Sequence, residues 1–197
     1  MSLDERQKEF IGYLLSLANE GKEDRGALAD LRSGLGKEPG EMSRVHKYVV
    51  PFLPEARRRE DRWYYVTASL FGLHPAHKGR VKHEKNGKPW WEVWTLGRAF
   101  RPLAFPPNGP KKDGMEARFV ALLNAHSDDL DDHLRHAMRL LESSNQPLDW
   151  FELFEDLLHW DEPGGPVQLK WARHFYKGAL ASDPDSTDSG STAKEEE

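Results

Sequence analysis

The sequence predicts an all-α protein: an N-terminal helical part, a C-terminal antiparallel four-helix bundle, and an irregular basic loop or hairpin between them. Three observations carry that expectation. Apolar side chains recur at three- and four-residue spacing in roughly seven or eight stretches, the period of a helix with one buried face. Residues 74–94 break that period and carry β-favouring tryptophans around an Asn-Gly pair. Residues 181–197 have no apolar pattern at all.

Each element follows from its residues. In 5–19, Phe10, Leu14 and Leu17 make one stripe, and Gly21 ends the helix. In 24–33 the pattern repeats with Leu28 and Leu31, then Gly34 and Gly36 break it. A short helix around Arg44 to Val49 stops before Pro51, because a residue preceding proline is pushed out of the helical region. Pro54 suits the first turn of the next helix, which runs to about Phe71 with Trp63, Val66 and Leu70 facing inward. Asn86-Gly87 is a two-residue hairpin turn, and Pro89 restricts the ribbon to a sheet edge.

The second half has firmer punctuation. Residues 101–114 hold four prolines and two glycines and read as a linker. Asp113, Ser127 and Asp149 are candidate caps for three helices, and a fourth runs from Val167 to Leu180. Short connections between four amphipathic helices predict the antiparallel bundle. The organisation is therefore residues 1–100 as the N-terminal part with its basic loop 74–94, the linker 101–114, the bundle 115–180, and a disordered acidic tail 181–197.

Composition limits the chemistry. The 197 residues fit one domain, or two small ones sharing a core. There is no cysteine, which excludes disulfides, thiol nucleophiles and thiolate zinc sites. No apolar run approaches bilayer length, and MSLDERQKEF lacks the basic-then-apolar order of a signal peptide, so a cytoplasmic protein with no membrane partner is expected. The net charge of -5 conceals an asymmetry. Residues 21–112 hold 19 Lys or Arg against 10 Asp or Glu, residues 113–180 hold 6 against 13, and the tail sets six acids against Lys194. A basic half on a neutral body suits a polyanionic partner.

Phosphate-loop, dinucleotide, zincin and hydrolase-elbow motifs are all missing from the sequence. Asp128, Asp129, Asp131 and Asp132 with His133 and His136 could attract Mg²⁺, although acids also gather in a first helical turn because the macrodipole favours them. His74, His77 and His83 lie among Lys78, Arg80, Lys82, Lys85 and Lys88, which favours gripping phosphate over binding a metal cation. Trp90 and Trp91 follow immediately and offer faces for base stacking, whereas Trp63, Trp94, Trp150, Trp160 and Trp171 read as core. No catalytic residue, cofactor or resident metal is expected. A helical adaptor that binds only protein and a Mg²⁺-dependent enzyme using the Asp128–His136 cluster are the alternatives.

An ordered set of segments resembles a known family. Arg25-Gly-Ala-Leu-Ala-Asp-Leu-Arg32 is followed by His46-Lys-Tyr-Val-Val-Pro-Phe52, Thr95-Leu-Gly-Arg-Ala-Phe100 and Met115-Glu-Ala-Arg-Phe-Val-Ala-Leu-Leu123. Arg139-Leu-Leu, Pro147-Leu-Asp-Trp150 and Leu157-Leu-His-Trp160 complete it. Their order and spacing resemble the CasB family, the small subunit of the type I-E CRISPR Cascade surveillance complex. The resemblance implies a non-enzymatic subunit, present with a second copy of itself, beside the backbone and large subunits. It also implies contacts to the crRNA-target heteroduplex and the displaced DNA strand that stabilise the R-loop. Within matched segments it points to Arg32, Arg98, Arg118 and Arg139 as nucleic-acid contacts, and in similar regions to Arg57, Arg58, Lys78, Arg80, Lys82, Lys170 and Arg173. The linker 101–114, the Asn86-Gly87 turn and the acidic tail depart from the family pattern.

Overall fold

The computed structural model describes residues 2–38, 40–55, 59–85 and 88–177. The expected tail, the Asn86-Gly87 turn, and Arg57 and Arg58 fall outside the described residues. The fold is mostly helical with one small hairpin, as the periodicity predicts.

α1 (Glu5–Leu17) starts with a reciprocal capping box: Asp4 Oδ1 accepts from the Gln7 N–H, and the Gln7 side chain accepts from the Asp4 N–H. Its inward face is Phe10, Ile11 and Leu14. α2 (Arg25–Arg32) is capped by Asp24, whose carboxylate accepts from the Ala27 N–H. α3 (Ser43–Val49) runs into a 3-10 turn at Val50–Phe52, where Pro51 cannot supply the N–H that would prolong an α-helix.

α4 (Asp61–Leu73) is the hub of the molecule. Residues 67–73 are buried without interruption, because α2, α3, α7 (Leu130–Ser143) and α8 (Trp150–Leu158) pack around them. Gly72 makes the α2 crossing possible: a Cβ there would stand 2.6 Å from the Arg32 nitrogen and 2.9 Å from the Leu28 oxygen. The helix begins later than its sequence suggests, at Asp61 rather than near Pro54.

β1 (Val81–Lys85) and β2 (Lys88–Glu92) pair antiparallel, with Lys85 opposite Lys88 and Lys82 opposite Trp91. α5 (Leu96–Ala104) corrects the linker expected at 101–114. The helix continues through Pro102, with Phe100, Leu103 and Ala104 buried, and α5 packs on α9 (Pro166–Tyr176). Burial of that face outweighs the single backbone donor that proline removes. The connection is only the stretch from 105 to 112, tied back where the Lys112 N–H donates to the Ala104 carbonyl at 2.8 Å.

α6 (Asp113–Leu123), α7 (Leu130–Ser143), α8 (Trp150–Leu158) and α9 (Pro166–Tyr176) follow. Asp149 caps α8, accepting from the N–H groups of Phe151 and Glu152. The other two expected caps differ. Asp113 is the first residue of α6 and makes no cap bond, and Ser127 lies before α7 with its Oγ buried and, among the described residues, unpartnered. Leu130, Leu134, Met138 and Leu141 form the α7 stripe as expected, and one continuous apolar core joins both halves of the chain. Trp63, Trp150, Trp160 and Trp171 are buried in it.

Candidate nucleic-acid interface

A groove of about 770 Å³ opens where the hairpin, α5 and the end of α9 meet. Its cationic wall is Lys78, Arg98, Arg101 and Lys177, and its aromatic wall is Trp91 and Trp94. Arg98 and Arg101 are three residues apart on α5 and so share one face of that helix. Thr95 fixes the start of α5 by accepting from the Arg98 N–H at 3.3 Å. Its hydroxyl is also hydrogen-bonded to His174 Nδ1 at 2.8 Å, which ties α5 to the last turn of α9.

Trp94 organises the cations. The Lys78 ammonium lies 3.6 Å from the centroid of its ring and the Arg98 guanidinium 4.0 Å. Each contact is worth about 0.5–1 kcal/mol at an exposed site, enough to orient a long side chain but not to neutralise it. The sequence places Trp94 in the core; instead it is half-buried, with its body against the fold and its face lining the groove. Its carbonyl accepts from the Asp149 N–H at 2.8 Å, so the groove wall is anchored to the cap of α8.

The groove contains one acid, Glu92. His83 donates to it at 2.9 Å and Arg98 also pairs with it. These neighbours, His83 first, hold its carboxyl below the usual range, so it stays ionised and locally offsets Arg98. Burial and the positive charges of Arg98, Lys170 and Lys177 press the His174 pKa down. Trp91 is 57% exposed, and Lys82 stands opposite it on the same face of the hairpin. A base could lie on this indole while phosphates follow the neighbouring cations.

A second depression of about 470 Å³ lies between α6 and α7. Arg118 and Arg139 flank a floor of Phe100, Ala121, Leu122 and Leu140, with His133 and His136 alongside. Arg118 donates to the Met115 sulfur at 3.6 Å and makes no ion pair among the described residues. Arg139, Arg173 and Lys82 make no ion pair among the described residues. The structure thus brings Lys78 and Arg98 to one groove, with Lys82 on the adjoining hairpin opposite Trp91, and Arg118 with Arg139 to a second depression.

Three other expected cations are engaged within the fold. Arg32 donates through Nε and Nη2 to the Gly72 carbonyl, at 3.0 and 2.9 Å. Arg80 pairs with Glu152 at 2.8 Å and Glu155 at 3.6 Å. Lys170 is held between Glu152 and Asp156, and Asp156 also accepts from the Trp171 indole at 2.6 Å. Burial raises the Asp156 pKa to about 6, with Lys170 and Trp171 partly opposing it.

The histidines of the 74–94 segment are likewise structural. His74 is buried and hydrogen-bonded to the Gln146 carbonyl at 2.8 Å, and His77 Nδ1 accepts from the Trp150 N–H at 3.3 Å. The acidic run before α7 is partly paired: Asp128 lies 3.5 Å from Arg62, and Asp132 lies 2.6 Å from Arg135. Among the described residues, no group of three or more His, Asp or Glu side chains is placed to hold a metal ion.

Sequence reasoning missed Arg101 and Lys177. Arg101 is hidden by the apparent linker, although its spacing from Arg98 is a helical signal. Lys177 follows the last turn of α9 and becomes part of the groove only through the α5–α9 packing.

Fold and groove first define a class, a small helical protein presenting a cationic, aromatic-lined track. A family model described as CRISPR-associated protein Cse2 matches residues 27–176, and the chain belongs to this family. The CRISPR-associated protein Cse2 of Thermus thermophilus is 33% identical over 178 residues, which is 89% of this chain and 92% of that protein. The crystal structure of CasB from Thermus thermophilus matches with a TM-score of 0.66 at 31% identity, covering 89% of this chain and 99% of that one. CasB from M. ruber matches at 0.65 and 27% identity, covering 89% and 95%. A chain of a CRISPR RNA-guided surveillance complex shares the fold at a TM-score of 0.68 and 20% identity, covering 89% and 94%. The CasB-family resemblance read from the sequence is borne out.

Proposed function

We propose that this chain is a non-catalytic small subunit of a CRISPR type I-E surveillance ribonucleoprotein and that its groove carries a nucleic-acid strand by the sugar-phosphate backbone. The observation that supports this most is the convergence of Lys78, Arg98, Arg101 and Lys177 beside Trp91 and Trp94. In such a complex, base pairing with the guide reads sequence while protein holds backbones. Opening duplex DNA against a guide is nearly balanced in energy, so a few charge-assisted contacts to the crRNA-target heteroduplex or to the extruded strand decide whether the R-loop persists. Arg118 and Arg139 form a second contact zone between α6 and α7. Lys82 and Arg173 extend the basic surface, and Arg57 and Arg58 remain candidates outside the described residues.

Partners in this reading are the other subunits of the complex, a second copy of this chain, crRNA and target DNA, meeting in the cytoplasm. One structural neighbour is a chain of an RNA-guided surveillance complex, which supports that setting. Binding of oligothymidylate across a salt series tests the groove. Log K should fall with log salt by about 0.7 per phosphate contact, giving a slope near -3 for four cations. Absence of binding even at low salt would favour a purely protein-binding adaptor.

A further inference from the structure

We propose that the acidic segment 182–197 docks back into the groove as an intramolecular competitor of nucleic acid; this rests on reading the groove as a phosphate track. Tyr176 ends α9, and the next residue, Lys177, is itself part of the groove wall. The segment that follows therefore departs from the groove's own rim. It carries Asp183, Asp185, Asp188, Glu195, Glu196 and Glu197 against Lys194. The wall it departs from carries four cations against Glu92, whose carboxylate already serves His83 and Arg98.

Reach and concentration both favour the contact. Asp183 is six positions beyond Lys177, and six extended residues span at most about 20 Å, so the first acids are tethered within about 20 Å of the groove rim. Because it belongs to the same chain, the segment meets the groove at an effective concentration on the order of mM, so contacts too weak to survive between separate molecules still occupy the groove.

The segment offers carboxylates but no bases to stack on Trp91 and almost no apolar side chains, so it is a poorer ligand than a nucleic-acid strand. A strand presented at high local concentration by guide pairing displaces it. Random nucleic acid meeting the free subunit does not. The same basic surface can then serve within the assembly without scavenging polyanions outside it.

Zero-length carbodiimide cross-linking of the full chain, with peptide mapping, tests docking directly. Tail carboxylates should couple to Lys78 in preference to the half-exposed Lys37, which lines a separate depression beside α4, and the product should vanish near 0.5 M salt, where the Debye length is about 4 Å. Absence of the Lys78 product, or equal labelling of Lys37, overturns the proposal.

Oligothymidylate binding provides a separate arm. A chain ending at Ala181 should bind about tenfold more tightly than the full chain at low salt, with the gap closing as salt rises. A full-length variant with Asp183, Asp185 and Asp188 changed to Asn and Glu195, Glu196 and Glu197 changed to Gln should match the truncation. Equal affinity of full and truncated chains overturns the tail proposal and leaves the groove reading intact. Cross-linking to Lys78 with no oligonucleotide binding by either form upholds docking and overturns the nucleic-acid reading.

Discussion

The Lys78 ammonium stands 3.6 Å from the centre of the Trp94 ring, a contact between a loop residue and the strand exit that follows the hairpin. It holds the loop cation at the groove rather than in bulk solvent. Trp91, beside it in the groove, is the most exposed large apolar side chain among the described residues. Trp91→Ala should weaken oligothymidylate binding by about 1–3 kcal/mol, the worth of one base stacked on an aromatic face. The thermal unfolding midpoint should not move, because the indole contributes little to the core. Titration followed by fluorescence anisotropy, with a melting curve on the same sample, separates the two effects.

Gly97 meets the backbone of Trp171, where an added Cβ would overlap the carbonyl oxygen and stand 2.9 Å from the Cα. No side-chain rotation relieves a clash with backbone. Gly97→Ala should therefore destabilise the protein by about 2 kcal/mol or more, by forcing α5 away from α9. It should also weaken nucleic-acid binding, since Arg98, Arg101 and Lys177 converge only through that packing. Urea unfolding measures the first effect and oligonucleotide titration the second.

Lys170 lies between Glu152 and Asp156, and its role should be structural. Asp156→Ala leaves the buried Trp171 N–H without its acceptor and Lys170 with one carboxylate fewer, at a cost of about 2–3 kcal/mol. Lys170→Met should lower the unfolding midpoint while changing oligothymidylate affinity by less than about twofold, because one screened charge at the periphery contributes little. A loss of affinity like that of the groove variants would place Lys170 on the track instead.

Burial depresses the pKa of both His74 and His77 below the ordinary value of 6.5. The unfolded chain then takes up protons more readily than the folded one. Stability is lost as pH falls below 6.5 and is retained above it. Asp156, raised to about 6, works in the opposite direction, since protonation relieves the cost of burying its charge. The melting temperature should fall between about pH 7.5 and pH 5.5, and His74→Gln, which can still donate to the Gln146 carbonyl, should flatten that slope. Asp156 titrates in both proteins, so the difference between the two curves isolates His74.

Much of the fold could be read from sequence because apolar spacing and local capping agree with tertiary packing. Asp149 and the Leu130–Leu141 stripe are examples. The start of α7 could not be read from Ser127, whose hydroxyl is turned into the interior without a partner among the described residues. Helix α5 is obscured by Pro102, since local propensity carries no information about the α9 surface that stabilises the helix. The site shows the same division. Lys78 and Arg98 stand out by charge and motif, whereas Arg101 and Lys177 gain their meaning from two helices distant in sequence. Arg80 and Lys170 look like surface cations until their acidic partners on α8 are placed beside them.

The most direct measurement is the lifetime of the R-loop formed by the reconstituted surveillance complex carrying this subunit with Lys78, Arg98, Arg101 and Lys177 all changed to Ala. The variant should still co-purify with the complex, and the lifetime should shorten by about tenfold or more, which is a loss of about 1.4 kcal/mol of strand retention. An unchanged lifetime in a fully assembled complex would contradict a backbone-holding groove.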